Sequence, residues 1–529
     1  MLTQNADRDS RLSFWLRVRE FAVPPSMIET ATARRRAGDW AGACAAAGID
    51  VDLSPRSVAR AHGRELASRI RDDLRHLAPD LLRWHMPRIA PRGLLRPGLT
   101  IGLARYGTEE HDGARPVHLV VRTPPAWANA GQRFSLALWY GSRHDEPLQG
   151  ARLRGGSPRD GTRWDGSRPE AGAHHHPHPR PHPRFRLDLH RHLWDARRAG
   201  ELRIRAGVGR PPGDAPPPVR PEVLAAVPPE LGCAVDRWAA EAAILLRAEG
   251  RATGTVAVRA GAGRRLLLEP ASDRDGNGPA VLRLAAASAY GDASALPVLP
   301  DAATWVLPDL DLLRTGSIEA DRLHPLVAPA LVPEPDHPPT GPAAPPDAVR
   351  LSDAVRPPDM ARLPDSVRLS GPAVPPEPVG RPRLVECRGA QHRIGLVDGV
   401  LAPLDHDPAE IRREELLAAL TGTPLPCFQA IDEAHRRPDC LTGVRERLDH
   451  GDIAGALAVV EDLLGPDALL RSGELRDALE EAARRRITYG LFRSGLIEGP
   501  GRIRPDRRRP RDRRSHPRHS AFRRTEELP

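Results

Sequence analysis

Proline divides this chain before any other feature acts. Residues 325–382 run through Pro-Asp, Pro-Pro and Val-Arg-Leu units, and Pro346-Asp-Ala-Val-Arg-Leu-Ser returns as Pro364-Asp-Ser-Val-Arg-Leu-Ser. Proline locks φ and removes a main-chain donor, so such a run sustains neither a helix interior nor a central strand. It predicts an extended, semi-rigid linker. A second interruption, residues 155–183, is rich in Gly, Pro, Arg and His and cannot pack. With 58 Pro and 46 Gly in 529 residues, about a fifth of the chain, core formation is confined to the segments between these stretches.

Those segments differ in period. Residues 1–99 read as helical: a short amphipathic stretch, then a helix from Pro25 to Arg36. Gly38-Asp39 breaks it and a second helix begins at Trp40. Ser54-Pro55 gives a cap followed by a first-turn Pro, with Val58, Leu66, Ile70, Leu74 and Leu77 at helical spacing. Residues 100–210 read as β-rich around the insert, with strands at 117–122, 134–140 and 202–206. Residues 221–324 read as mixed: helical near 235–246, a hairpin over 255–259 and 264–269, and a stretch at 281–290 that fits strand or helix.

Beyond the linker, residues 383–498 read as a β-hairpin and a helical domain. Asp407, Pro408 and Glu410 open a helix over 409–420, another covers 428–437, and three more run to residue 492. Residues 499–529 read as a disordered tail. The fold class expected is α+β, with helical ends flanking a β-containing middle.

Every one of the 78 Lys+Arg positions is Arg. Lysine Schiff-base chemistry is therefore excluded, and so is the G-x-x-x-x-G-K-[ST] phosphate loop. Asp432-Glu-Ala-His435 spells a DEAH box, but that motif needs such a loop beside it, so it reads as the charged end of a helix. Residues 500–529 carry 11 Arg against four acids, a net of +7, whereas the other 499 carry 67 Arg against 65 acids, a net of +2. Attraction to phosphate thus has its source in the tail, with Arg507, Arg508, Arg509, Arg511, Arg513 and Arg514 the expected anion or nucleic-acid contacts. One aromatic, Phe522, leaves little base stacking.

Other chemistry is sparser. His190 and His192, two apart on a strand, would lie close enough to share a Zn²⁺-like ion, and Asp188 is the third polar residue of that face. His174, His175, His176, His178 and His182 form a His-Pro tract that binds metal weakly and charges near neutrality. The five cysteines include no C-x-x-C pair, which predicts reduced thiols in a cytoplasm; Cys427 reads as a buried structural thiol rather than a nucleophile. Neither a signal peptide nor an apolar run of membrane-spanning length is evident. No catalytic residue and no cofactor is expected; a metal- or thiol-dependent enzyme of unknown reaction is the alternative to a binding role. Trp127 and Trp164, in loop-like sequence, are the tryptophans expected at a partner surface.

Gly38-Asp-Trp-Ala-Gly-Ala-Cys-Ala is echoed by Gly451-Asp-Ile-Ala-Gly-Ala-Leu-Ala at six of eight positions. Both predict tight αα-hairpins, the unit of helical binding scaffolds. Two longer stretches carry a resemblance: Phe21-Ala-Val-Pro-Pro-Ser-Met-Ile-Glu-Thr-Ala-Thr-Ala-Arg-Arg-Arg-Ala-Gly-Asp-Trp and Arg484-Arg-Arg-Ile-Thr-Tyr-Gly-Leu-Phe-Arg-Ser-Gly-Leu. They resemble a family of high-GC actinobacterial proteins without assigned chemistry. Some of its members are similar to accessory components encoded with MoxR-type ATPases and von Willebrand A-domain proteins. The resemblance implies a protein partner, of AAA+ ATPase type, and a scaffold or accessory role; it carries over no functional residue.

Overall fold

A computed structural model describes residues 2–107, 116–129, 131–140, 179–208, 219–227, 231–261, 264–271, 281–285, 296–332, 383–422 and 424–497. The tail arginines, Trp164, most of the 155–183 insert and residues 333–382 lie outside this set. The fold is α+β, with helices at both ends and the sheets between them.

The N-terminal segment forms α1 (Leu2–Phe21), α2 (Pro25–Arg36) and α3 (Trp40–Ala46), then β1 (Ile49–Val51), α4 (Pro55–His62), α5 (Arg64–His76) and α6 (Pro79–His85). Short β2 (Arg88–Ile89) and β3 (Leu94–Leu95) lead into β4 (Thr100–Tyr106), β5 (Val117–Arg122) and β6 (Phe134–Trp139). Proline at the first turn starts α2, α4 and α6, where its missing N–H costs nothing. The main sheet has the order β1-β6-β5-β4, and its edge strand β1 runs parallel to β6 with Ile49 opposite Phe134.

The helical segment 1–99 is not a separate body. Its Ile70, Leu74, Leu82 and Trp84 share one core with Ile101, Leu119, Phe134 and Trp194, and with Leu312, Val327 and Leu331. The first residues of the expected linker therefore belong to this core: 325–332 include a helical turn, Ala328–Leu331, and Val327 and Leu331 are buried. The apolar Leu-Val-Ala-Pro-Ala-Leu run outweighs its prolines, one of which sits at a helix start, where it fits.

The middle of the chain forms α7 (Leu202–Arg205), α8 (Pro221–Ala226), α9 (Trp238–Ala248), β7 (Val256–Arg259), β8 (Arg265–Ala271), β9 (Val281–Leu284), α10 (Asp301–Thr304), α11 (Pro308–Arg314) and α12 (Ala328–Leu331). Its antiparallel sheet β7-β8-β9 packs on α9 through Trp238, Leu245, Val256 and Leu268. The expected strand at 202–206 is a helical turn. Leu-Arg-Ile-Arg alternates like a strand, but Leu202 points into the core while Ile204 is 75% exposed, so one apolar residue of the pair has nothing to pack on.

The C-terminal unit comprises β10 (Arg383–Cys387), β11 (Ala390–Val397), β12 (Val400–Pro403), α13 (Pro408–Thr421), α14 (Pro426–Arg436), α15 (Leu441–His450), α16 (Ile453–Leu464) and α17 (Glu474–Arg493). Asp407 caps α13 by accepting from the Ala409 N–H at 2.7 Å. The unit has its own cores, one around Val444, Leu448, Val460 and Leu475 and a smaller one under the sheet.

This unit docks on the N-terminal body through polar groups. Arg83, 1% exposed, donates to four main-chain carbonyls: Ala22 at 2.9 Å, Gln132 at 2.7 Å, Ala47 at 3.3 Å and, across the junction, His450 at 3.0 Å. Asp449 accepts from Arg92 at 3.1 Å and from Arg485 at 2.8 Å. Arg493 and Tyr489 of α17 reach Asp52 and Asp50 of the β1 segment. Trp127 meets Phe492 of α17 edge-on at 5.3 Å, so this tryptophan serves an interface within the chain.

His450 makes the junction sensitive to acid. Its ring stacks on Phe21, and burial, with Arg88 and Arg83 nearby, pushes its pKa down to about 3. A histidine held neutral contributes stability that is present above its ordinary 6.5 and is lost as pH falls from there toward 3. Amide exchange of α15 should accelerate over that window before the core strands β5 and β6 respond. Exchange of α15 unchanged down to about pH 4 would remove His450 from this role.

Candidate functional site

A cavity of about 620 Å³ opens between the N-terminal body and the middle of the chain. Three elements build most of its wall. On α1, Arg11, Trp15 and Arg19 recur every fourth residue and so share one face. The end of α6 supplies Trp84 and His85, and the following residues supply Arg88. From residues 184–193 come Arg184, Phe185 and His192; Arg205, Arg237 and Trp305 close the far side.

Most of these arginines have carboxylates. Arg11 pairs with Asp311. Arg19 binds both oxygens of Asp309, at 2.7 and 2.8 Å. Arg184 binds Asp301 at 3.0 and 2.7 Å, and Arg205 binds Glu241 at 2.6 Å through each oxygen. Three do not, among the described residues. Arg88 donates to the carbonyls of Arg83 at 2.9 Å and Gly93 at 3.2 Å, and its Nε is buried without a partner. Arg237 donates to the carbonyls of Arg205 and Trp305. Arg96 stands at the exposed rim.

Electrostatics follow from that imbalance. Burial, with Arg83 and Arg19 nearby, holds the Arg88 guanidinium well below arginine's usual range. Burial lowers Arg237 as well, against the pull of Glu241 and Asp236. His85 and His192 are each pushed well below 6.5, chiefly by burial, and His85 Nε2 and His192 Nδ1 lack partners. The wall thus offers poorly compensated cations and neutral imidazoles between aromatic faces. That arrangement receives the negative group of a partly apolar ligand.

His190 and His192 do not lie on a strand. His190 joins two consecutive tight turns, Leu187–Leu189 and Arg191–Leu193, and His192 lies in the second. Their rings are 5.7 Å apart. His190 is engaged: its Nδ1 lies 3.1 Å from the Arg186 carbonyl and its Nε2 3.3 Å from the Glu241 carboxylate. Asp188 is bound by Arg186. Burial alone would raise the Glu241 pKa, but His190 and Arg205 bring it down to about 2. The pair of histidines is therefore part of the cavity's polar scaffolding, with His192 at the wall.

Asp432 of the DEAH sequence is taken up by Arg436 at 2.6 Å and Arg471 at 2.8 Å on the surface of α14. His182 accepts from the Arg184 N–H at 3.2 Å; the rest of the His-Pro tract lies outside the described residues. The cavity arginines escaped sequence reading because they come from six separate segments. The single local signal was the four-residue repeat of Arg11, Trp15 and Arg19. Comparison of the chain with family models, curated proteins and solved structures yields no match. Among the described residues, no helix is long and apolar enough to cross a membrane.

Proposed function

We propose that this chain is a non-enzymatic binding component, a scaffold or accessory subunit, whose cavity holds an anionic group of its protein partner. The observation behind this reading is that Arg88 and Arg237, half-buried in the cavity wall, donate to main-chain carbonyls and form no ion pair with a carboxylate among the described residues. A half-buried cation without an ion-pair partner is incompletely compensated; a bound carboxylate or phosphate supplies the missing counter-charge. An acidic segment of an AAA+ ATPase, the partner class implied by the resemblance, has suitable chemistry. Arg507, Arg508, Arg509, Arg511, Arg513 and Arg514 serve as a second, non-specific tether to polyanions, nucleic acid included.

The test is thermal unfolding of the full chain with inorganic phosphate, citrate or an acidic peptide. An anion at a hundred times its Kd adds about 2.7 kcal/mol. The double variant Arg88→Ala/Arg237→Ala should fold without ligand, because it removes two half-buried cations that have no ion-pair partner, and should lose the anion response. Deleting residues 500–529 should leave the response intact. A response that persists in the double variant, or disappears with the tail, would remove the cavity from this role.

A further inference from the structure

The small core beneath the C-terminal sheet holds a different chemistry. Cys387 ends β10, and Cys427 is the second residue of α14; both are fully buried. His406 sits between β12 and α13, its side chain 4% exposed. Ligand atoms of these three residues all lie within 4.8 Å of one another. His392 of β11 stands opposite Val385, two residues along β10 from Cys387, so the strand alternation puts Cys387 and His392 on one face. The His392 and His406 rings are 4.4 Å apart.

Two atoms in this group lack partners. His406 Nε2 and His392 Nδ1 are buried and accept or donate nothing. The other nitrogen of His406, Nδ1, lies 3.5 Å from the carboxylate of Glu410, one turn along α13. That contact engages Nδ1 and leaves Nε2, buried and unpartnered, as the nitrogen free to bind an ion. Carboxylate-oriented histidines of this kind are the usual outer support of a metal ligand. A buried imidazole facing two thiols gains little from packing alone.

We propose that Cys387, His406 and Cys427 bind a Zn²⁺-like ion, with His392 completing the tetrahedron. The ligand set is the Cys₂His₂ type, and thiolate with imidazole favours Zn²⁺ over the harder divalent ions. With Zn–S near about 2.3 Å and Zn–N near about 2.0 Å, tetrahedral ligands stand roughly 3.3–3.8 Å apart; the group closes by side-chain rotation. Binding turns both thiols into thiolates and releases two protons to solvent, with no change of oxidation state. The ion ties the segment before α13 to β10 and the start of α14, which the small core of Cys387, Ile394, Cys427 and Ile431 already joins to β11.

The experiment uses the reduced full-length chain. Zinc content should be one equivalent, lost in Cys387→Ser, Cys427→Ser and His406→Ala and kept in Cys44→Ser and Cys440→Ser. Because a ligand variant can fail to fold, the ion is also replaced by Co²⁺ in the unaltered chain. Thiolate-to-cobalt charge-transfer bands with intense d–d bands report tetrahedral sulfur ligation, which histidines elsewhere in the chain cannot produce. His392→Ala should keep the charge-transfer bands and move the d–d bands; unmoved d–d bands exclude His392 from the set. Folded, reduced protein that takes up no zinc overturns the site. So does Co²⁺ binding without thiolate bands, or a Cys387–Cys427 disulfide, two hydrogens lighter, in metal-free protein from the native cell.

Discussion

Asp309→Ala should cost the N-terminal body about 3–5 kcal/mol, read as a shift of the denaturant midpoint with an unchanged slope. Asp309 is fully buried at the start of α11, and its partner Arg19 is 2% exposed. The carboxylate accepts two guanidinium hydrogen bonds and a third from Trp84 Nε1 at 3.1 Å. Arg19 in turn donates to the Trp84 carbonyl at 2.8 Å and lies 4.3 Å from the centre of its ring. One carboxylate therefore joins α1, α6 and α11. Removing it leaves a guanidinium in a dry site with one carbonyl for company. The double variant Arg19→Met/Asp309→Leu should recover most of the loss, since well-packed apolar pairs replace buried ion pairs at little cost. If the single variant unfolds no earlier than the unaltered chain, the hub is not a stabilising element. Arg19 also lines the cavity, so the single variant, which frees this cation of its carboxylate, should tighten anion binding while the tail deletion leaves it unchanged.

Local chemistry made much of this fold legible. First-turn prolines, Asp407 with Pro408, and apolar periodicity located α2, α3 and α13 to α17, because those signals act within one or two turns. The stretch from Ser54 to Trp84 was legible as helical but not as the three helices α4, α5 and α6, and the hairpin β10–β11 was legible without its third strand β12. The edge strand β1 was not: three residues acquire strand geometry by pairing with β6, some 85 positions later. Residues 325–332 read as linker from proline content, yet Val327 and Leu331 decide their place. Cys387, His406 and Cys427 have no spacing signature at all, since intervals of 19 and 21 residues are closed by a sheet and two loops. Cys427 was correctly legible as buried; the sulfur and imidazole it faces were not.

Phe21 and the end of α17 belong to one junction. Phe21 stacks on His450, and Tyr489 and Arg493 of α17 bind Asp50 and Asp52, just beyond α3. These contacts dock the C-terminal unit to the N-terminal body. Two helical hairpins frame this junction in the same way. In each, Asp accepts from the N–H three residues ahead, Asp39 from Gly42 at 2.8 Å and Asp452 from Gly455 at 2.9 Å. In each, an Arg five residues back binds the same Asp, Arg34 at 2.9 Å and Arg447 at 3.0 Å.

That likeness gives a matched pair of substitutions with unequal outcomes. Gly38 and Gly451 both hold the left-handed backbone, φ +79° and +89°, where an added Cβ costs about 1–2 kcal/mol. Around Gly38 a Cβ meets nothing within 4 Å, so Gly38→Ala should cost only that. At Gly451 the Cβ would collide with the main-chain carbonyl of Gly131 on the N-terminal body. Backbone cannot rotate aside as a side chain can, so overpacking adds roughly 1–3 kcal/mol. The excess is spent at the junction, because the cores of α15, α16 and α17 do not include Gly131. Gly451→Ala should therefore speed amide exchange at residues 131–134 and 449–452 and expose the junction to protease, while the interiors of α16 and β5 stay protected. Gly38→Ala should change exchange near the α2–α3 turn alone. Equal losses from the two substitutions would mean that the Gly131–Gly451 approach does not hold the units together, and that the polar contacts of Arg83 and Asp449 carry the docking without it.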